Sequence, residues 1–157
     1  MNVAAMRDMF GHLVGLVSGA IARLLAGGAG DNTPIYTTES DARELAVPMT
    51  VESSGVIVLA SAVLAEAATL TVVTSLQHTD DVDFNTPANI TTVTLGTITL
   101  TGGAGGSTEL DGALYAFNPT ALHNRHRIRV TPNLSAADTD TAEVSVAQIV
   151  GGISHPV

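Results

Sequence analysis

The chain has 157 residues, enough for one domain with a sizeable core, and it contains neither cysteine nor lysine. That composition excludes a disulfide scaffold, a thiolate metal site, a cysteine nucleophile, Schiff-base chemistry and the lysine of a phosphate-binding P-loop. The net charge is −9 and only 13% of residues are charged, which argues against a general nucleic-acid binder and for extensive apolar contact with other protein.

In chain order, the first element is the stretch up to Gly30. Met6, Met9, Phe10, Leu13, Leu16, Val17, Ile21, Leu24 and Leu25 recur at three- and four-residue spacing, the period of an amphipathic helix. Arg23 interrupts the apolar run, against a signal peptide, and the span between Asp8 and Arg23 is too short to cross a membrane. Basic residues are too few on the polar side for binding at a membrane surface. Gly11, Gly15 and Gly19 make a ridge of small residues that admits a close neighbour, while each costs helix stability. The expectation is a helical arm that docks on another subunit or on a partner, with packing on its own sheet as the alternative. Phe10, Leu13, Val17, Ile21 and Leu24 are its expected buried contacts. Gly27, Gly28, Ala29 and Gly30 form a joint, dividing the chain into an arm (1–30) and a body (31–157).

From Thr33 the pattern changes to short β-prone runs broken by Pro, Gly, Asn and Asp. Candidate strands are 34–38, 45–51, 56–60, 70–76, 90–100, 109–117, 126–131 and 143–150. About eight strands with no long helix among them predict a mainly β chain, an antiparallel β-sandwich. Residues 61–68 fit a short helix and a strand about equally. Within 90–100, Val93, Leu95, Ile98 and Leu100 share a face if Gly96 is a bulge.

Few residues carry chemistry. Asp80, Asp81, Asp83 and Asn85 place oxygen ligands at intervals, but Thr86 and Thr92 stand where a calcium loop needs glycine and glutamate. Asp81 and Asp83 are therefore weak metal candidates, and a solvated acidic turn is the simpler reading. His123 and His126 have no third ligand nearby in sequence. On a strand, Arg125, Arg127 and Arg129 project to one face, with His126, Ile128 and Val130 on the other. The arginine row fits a polar interface with an acidic partner surface or, equally, pairing with the chain's own Glu109, Asp111 or Glu143. The hydrolase motifs G-x-S-x-G, S-x-x-K and H-E-x-x-H are absent. Gly102, Gly103, Gly105 and Gly106 join two strands rather than opening a helix, so they read as a hairpin loop and not a phosphate cradle. No enzyme and no cofactor is expected.

The segment TGGAGGSTELDGALYAFNPTALHNRHRIRVTPNLSAADTDTAEVSVAQIVGG, with the preceding PMTVESSGVIVLASAVLAEAATLTVVTSLQHTDDVDF, resembles the small jelly-roll cement or decoration proteins of tailed-bacteriophage capsids, the Bordetella phage cement type. The likeness covers Val47 to Gly152 and leaves the arm unmatched. It implies a jelly roll of about eight strands that sits, as a homodimer or homotrimer, on the outer surface of the capsid in the virion. There it would bridge and stabilise major capsid protein subunits, with neither nucleic acid nor membrane as partner. The alternative is a carbohydrate- or host-binding module of a tail or spike. With no tryptophan and only Phe10, Tyr36, Phe84, Tyr115 and Phe117 as aromatics, sugar platforms are scarce.

Overall fold

The structure, a computed structural model, describes residues 5–7, 13–25, 31–37, 40–41, 53–117, 125–135 and 140–151. The strands are β1 (Ala5–Arg7), β2 (Leu13–Leu25), β3 (Ile35–Tyr36), β4 (Ser40–Asp41), β5 (Ser53–Leu64), β6 (Thr69–Thr79), β7 (Thr91–Thr101), β8 (Ser107–Phe117), β9 (Arg125–Leu134) and β10 (Thr141–Gly151). One 3₁₀ turn, Pro87–Asn89, is the only helical element among the described residues. The chain is mainly β, and its strands form two antiparallel sheets. The first runs β1-β2-β10-β5-β8 and the second β3-β9-β6-β7, with β4 also on β9.

The expected N-terminal helix is corrected. Residues 13–25 are a strand, paired with β10 from Leu25↔Thr141 to Gly15↔Val150. The physical reason lies in the same residues that made the helix weak. Gly15 and Gly19 each forfeit about 1 kcal/mol relative to alanine in a helix. Val14, Val17 and Ile21 are β-branched and suit a pleated surface. An extended segment beside β10 also satisfies the edge N–H and C=O groups of β10, which a helical segment, bonded within itself, would leave unpaired by this chain. Of the expected arm contacts, Leu13 pairs with Arg7, Ile21 with Ser145 and Leu24 with Ala142, while Val17 falls at a bulge. Phe10 and the joint at 27–30 lie outside the described residues, as does the candidate strand 45–51.

The body agrees closely with the sequence pattern. Residues 61–64 continue β5, and the chain then turns at Glu66 and Ala67, the latter with a left-handed φ of 60°. The register of β6 on β7 shifts between Thr74↔Gly96 and Ser75↔Thr94, leaving Leu95 as the extra residue, one position from the expected bulge. Ile98 and Leu100 are buried and Leu95 packs against the core, whereas Val93 is exposed. The core is one layer between the sheets, filled by alternate residues such as Val56, Val58, Leu70, Val72, Ile128 and Val144, all fully buried.

Tyr115 closes the side of the sandwich where β7 and β8 meet. Its ring lies on Gly96, so near that a Cβ there would be 2.2 Å from Cε1. Burial first, and the Asp111 carboxylate second, raise the Tyr115 phenol above its usual value of 10.0. The fold thus favours the neutral phenol. Its contribution is fully present below the ordinary phenol pKa and is lost as pH rises through the raised one. Tyr115→Phe should flatten the alkaline loss of stability while leaving the urea midpoint at neutral pH little changed, as denaturation at both pH values would show.

Candidate functional site

Strand β9 alternates as its sequence predicts. His126, Ile128 and Val130 are buried, and Arg125, Arg127 and Arg129 are half-buried on the other face. In register, Arg125 stands opposite Thr79 and Asp41, Arg127 opposite Gln77, and Arg129 opposite Ser75 and Tyr36. Arg127 is held within the protein. Its guanidinium carbon is 4.1 Å from the ring centroids of both Tyr36 and Phe84, and its Nε donates to Gln77 Oε1 at 3.0 Å. Gln77 Nε2 donates in turn to Thr92 Oγ1 at 3.2 Å. One cation thereby joins β3, β6, β7 and the loop that carries Phe84. Of the expected acidic partners, Glu109 accepts from Ser107 Oγ and Asp111 from the Gly112 amide, both within β8.

Two ring contacts of this kind contribute about 1–2 kcal/mol together at a partly exposed site. Arg127→Ala should lower stability by that amount and speed amide exchange in residues 80–90. Lysine should restore little of it, because a planar group is needed to fill the space between two rings.

The acidic loop spends its carboxylates on its own chain. Asp83 accepts from the Asn85 amide at 2.9 Å and from Asn85 Nδ2 at 2.6 Å, and Asp81 accepts from Asn89 Nδ2 at 2.9 Å. Among the described residues, no three of His, Cys, Asp and Glu come together to hold a metal ion. His123 lies outside them. The neighbour of His126 in space is His78, its partner in register, which the sequence spacing did not single out. Both are buried, and His126 Nε2 lies 2.8 Å from Gln148 Nε2, with Phe117 edge-on to its ring at 6.2 Å. If the amide donates, that ring nitrogen is the acceptor and the other carries the proton. Asp140 is also structural: its Oδ1 accepts from the Ala65 amide at 2.8 Å, tying the start of β10 to the β5–β6 turn.

The surface that sequence reasoning missed is the outer face of the first sheet. Ile57 stands opposite Leu114, Leu59 opposite Gly112, Ser61 opposite Leu110 and Val63 opposite Thr108. Leu110 is 75% exposed, Leu114 65%, and Leu59 and Val63 51% each. This face of β5 and β8 carries no charged residue. Contiguous aliphatic surface of this kind marks a place where a soluble protein meets another molecule. A signal was present: GVIVLASAVL is apolar at odd and even positions alike, and a strand buried on one side only would alternate.

No family model matches this sequence, and no curated protein matches it. Among solved structures, one titled Desmodium yellow mottle tymovirus is similar at 8% identity, over 100% of this chain and 92% of that one, with a TM-score of 0.26. A score that low carries no argument about fold or function.

Proposed function

We propose that this chain is a structural virion protein that binds the outside of a phage head and bridges major capsid protein subunits. The observation that carries the reading is the strand order. In the orders β2-β10-β5-β8 and β3-β9-β6-β7, β2, β5, β8 and β10 share one sheet with β3, β6, β7 and β9 in the other. That order supports reading the two sheets as a jelly roll of two interleaved Greek keys, an architecture used by viral capsid and lectin domains.

The surfaces favour a capsid role over a lectin one. Sugar sites present free aromatic faces. Here Tyr36 and Phe84 each give a face to Arg127, and Phe84 is buried. The outer face of β5 and β8 instead offers aliphatic side chains suited to a protein surface. A net charge of −9 suits a position outside the shell, away from packaged DNA. Many modest contacts of this kind, repeated on a symmetric lattice, give avidity that a single copy lacks.

The test is co-sedimentation of the purified protein with mature, expanded heads of the phage that encodes it. Binding should be saturable, and Leu59→Glu, which charges the aliphatic face, should weaken it at least ~10-fold. Retention by a glycan array without binding to heads would favour the tail or spike reading instead.

A further inference from the structure

Strand β8 ends the first sheet. β5 pairs with one side of it along its whole length, and among the described residues no strand pairs with the other. The Gly112 amide shows which backbone groups face the open side. It donates to Asp111 Oδ1 on its own strand at 2.7 Å, an exposed contact. Backbone groups alternate along a strand, so the N–H and C=O groups of Thr108, Leu110, Gly112, Leu114 and Ala116 face the open edge. The exposed side chains of Leu110 and Leu114 belong to the same positions.

We propose that this edge is the interface with a second copy of the chain, β8 pairing antiparallel with β8 about a twofold axis at Gly112. The argument is self-complementarity. A twofold axis there sets Gly112 against Gly112 of the partner subunit, Leu110 against the partner's Leu114, and Thr108 against the partner's Ala116. All of these positions carry outward backbone groups, so the two rows meet as hydrogen-bonded pairs. A one-residue slip would break that match. The charges also fit: Asp111 faces the partner's Ala113, and Glu109 the partner's Tyr115. Moving the axis to Asp111 would set two carboxylates opposite each other, and moving it to Ala113 would leave both leucines facing Gly112 or Ala116. An axis at Leu110 or Leu114 would pair one leucine with its own copy over a shorter overlap, the first also setting Asp111 against the partner's Glu109, whereas the axis at Gly112 pairs both leucines over the whole strand. There a glycine is also suited to the packing, because Leu59 lies over it and a Cβ would come within 2.7 Å of Leu59 Cδ2.

Asp111 acts as a removable plug on this edge. In the free protomer its carboxylate holds the Gly112 N–H, and on pairing the carbonyl of the partner's Gly112 takes that place. The two Asp111 side chains would then be diagonal neighbours at roughly 7–8 Å, a repulsion that salt screens. Pairing joins two aliphatic sheet faces into one of twice the size. The inference stands apart from the virion reading, since it concerns the purified chain alone.

Sedimentation equilibrium of the full-length protein should show a monomer–dimer equilibrium that tightens with salt. Leu114→Lys should weaken it at least ~10-fold, and Asp111→Ala should strengthen it by several-fold, ~1 kcal/mol. Because the chain has no cysteine, register can be read directly. Hydrogen-bonded antiparallel positions are about 5.5 Å apart at Cα, within disulfide range, while residues four apart on one strand are about 14 Å apart. A double variant, Leu110→Cys with Leu114→Cys, should therefore oxidise to a covalent dimer linked between position 110 of one copy and 114 of the other, and neither single variant should cross-link. A monomer at every concentration, a dimer indifferent to Leu114→Lys, or a double variant that does not form the 110–114 link would overturn the proposal.

Discussion

Deletion of residues 1–30 is expected to destroy cooperative folding of the body, an outcome opposite to that of removing a docking arm. The deletion takes away β2, which pairs with β10 over ten residue positions, and leaves β10 as a bare edge. At the low end of about 0.5 kcal/mol net per hydrogen bond, a ladder of that length contributes about 5 kcal/mol. That equals the whole stability of many domains. β10 also brings Val144 and Val146 to the core, so its fraying spreads inward. Circular dichroism and urea denaturation of the truncated chain decide the matter. A sharp two-state transition close to that of the full chain would return residues 1–30 to the status of a detachable arm.

The second large effect is expected from Gly102→Ala, a change of one methyl group. Gly102 sits where three parts of the fold converge. Its amide donates to Ala68 O at 2.9 Å, and its carbonyl accepts from the Ala67 amide at 3.0 Å, clasping the β5–β6 turn against the end of β7. A Cβ at this position would stand 2.0 Å from the Ala65 carbonyl oxygen. That oxygen is backbone, and the amide of the same residue is held by Asp140, so neither side can yield without losing hydrogen bonds. Overpacking of this kind costs roughly 2–4 kcal/mol. For a chain of this size that lowers Tm by about 5–15 °C. Gly103→Ala is the control: the nearest atom to its Cβ would be Ser107 Oγ at 3.4 Å, an ordinary contact, and it should change Tm little.

How far the sequence could be read depended on whether its period was unique. On β9, arginines alternating with His126, Ile128 and Val130 admit only a strand, and the structure puts the two sets on opposite faces. The β7 bulge was legible because Thr, Leu and Ile alternate on both sides of Gly96 with one residue too many. β2 was misread because its apolar residues suit both periods. Leu13, Val17, Ile21 and Leu24 lie on one helical stripe, yet the segment reads equally as a strand, with β-branched Val14, Val17 and Ile21 along it. Pairing with β10, more than one hundred residues away, settles the choice, and no local window contains that partner.

The candidate site was legible in the same uneven way. The arginine row was found, but that Arg127 is spent between Tyr36 and Phe84 depends on a loop folding back over β6, which spacing alone does not disclose. His126 was singled out beside His123 by sequence distance, whereas its neighbour across the sheet is His78. The aliphatic face of β5 and β8 went unnoticed because each strand taken alone looks like core. Only the pairing of Ile57 with Leu114 and of Ser61 with Leu110 gathers those residues on one outward surface.

The most direct test of the proposed role is the number of copies held by one expanded head at saturation, counted by quantitative mass spectrometry. A capsid-bridging role predicts a whole number of copies for every icosahedral asymmetric unit, lost when Leu59 is replaced by glutamate. A handful of copies, as at one vertex or on the tail, or no binding at all, would contradict it.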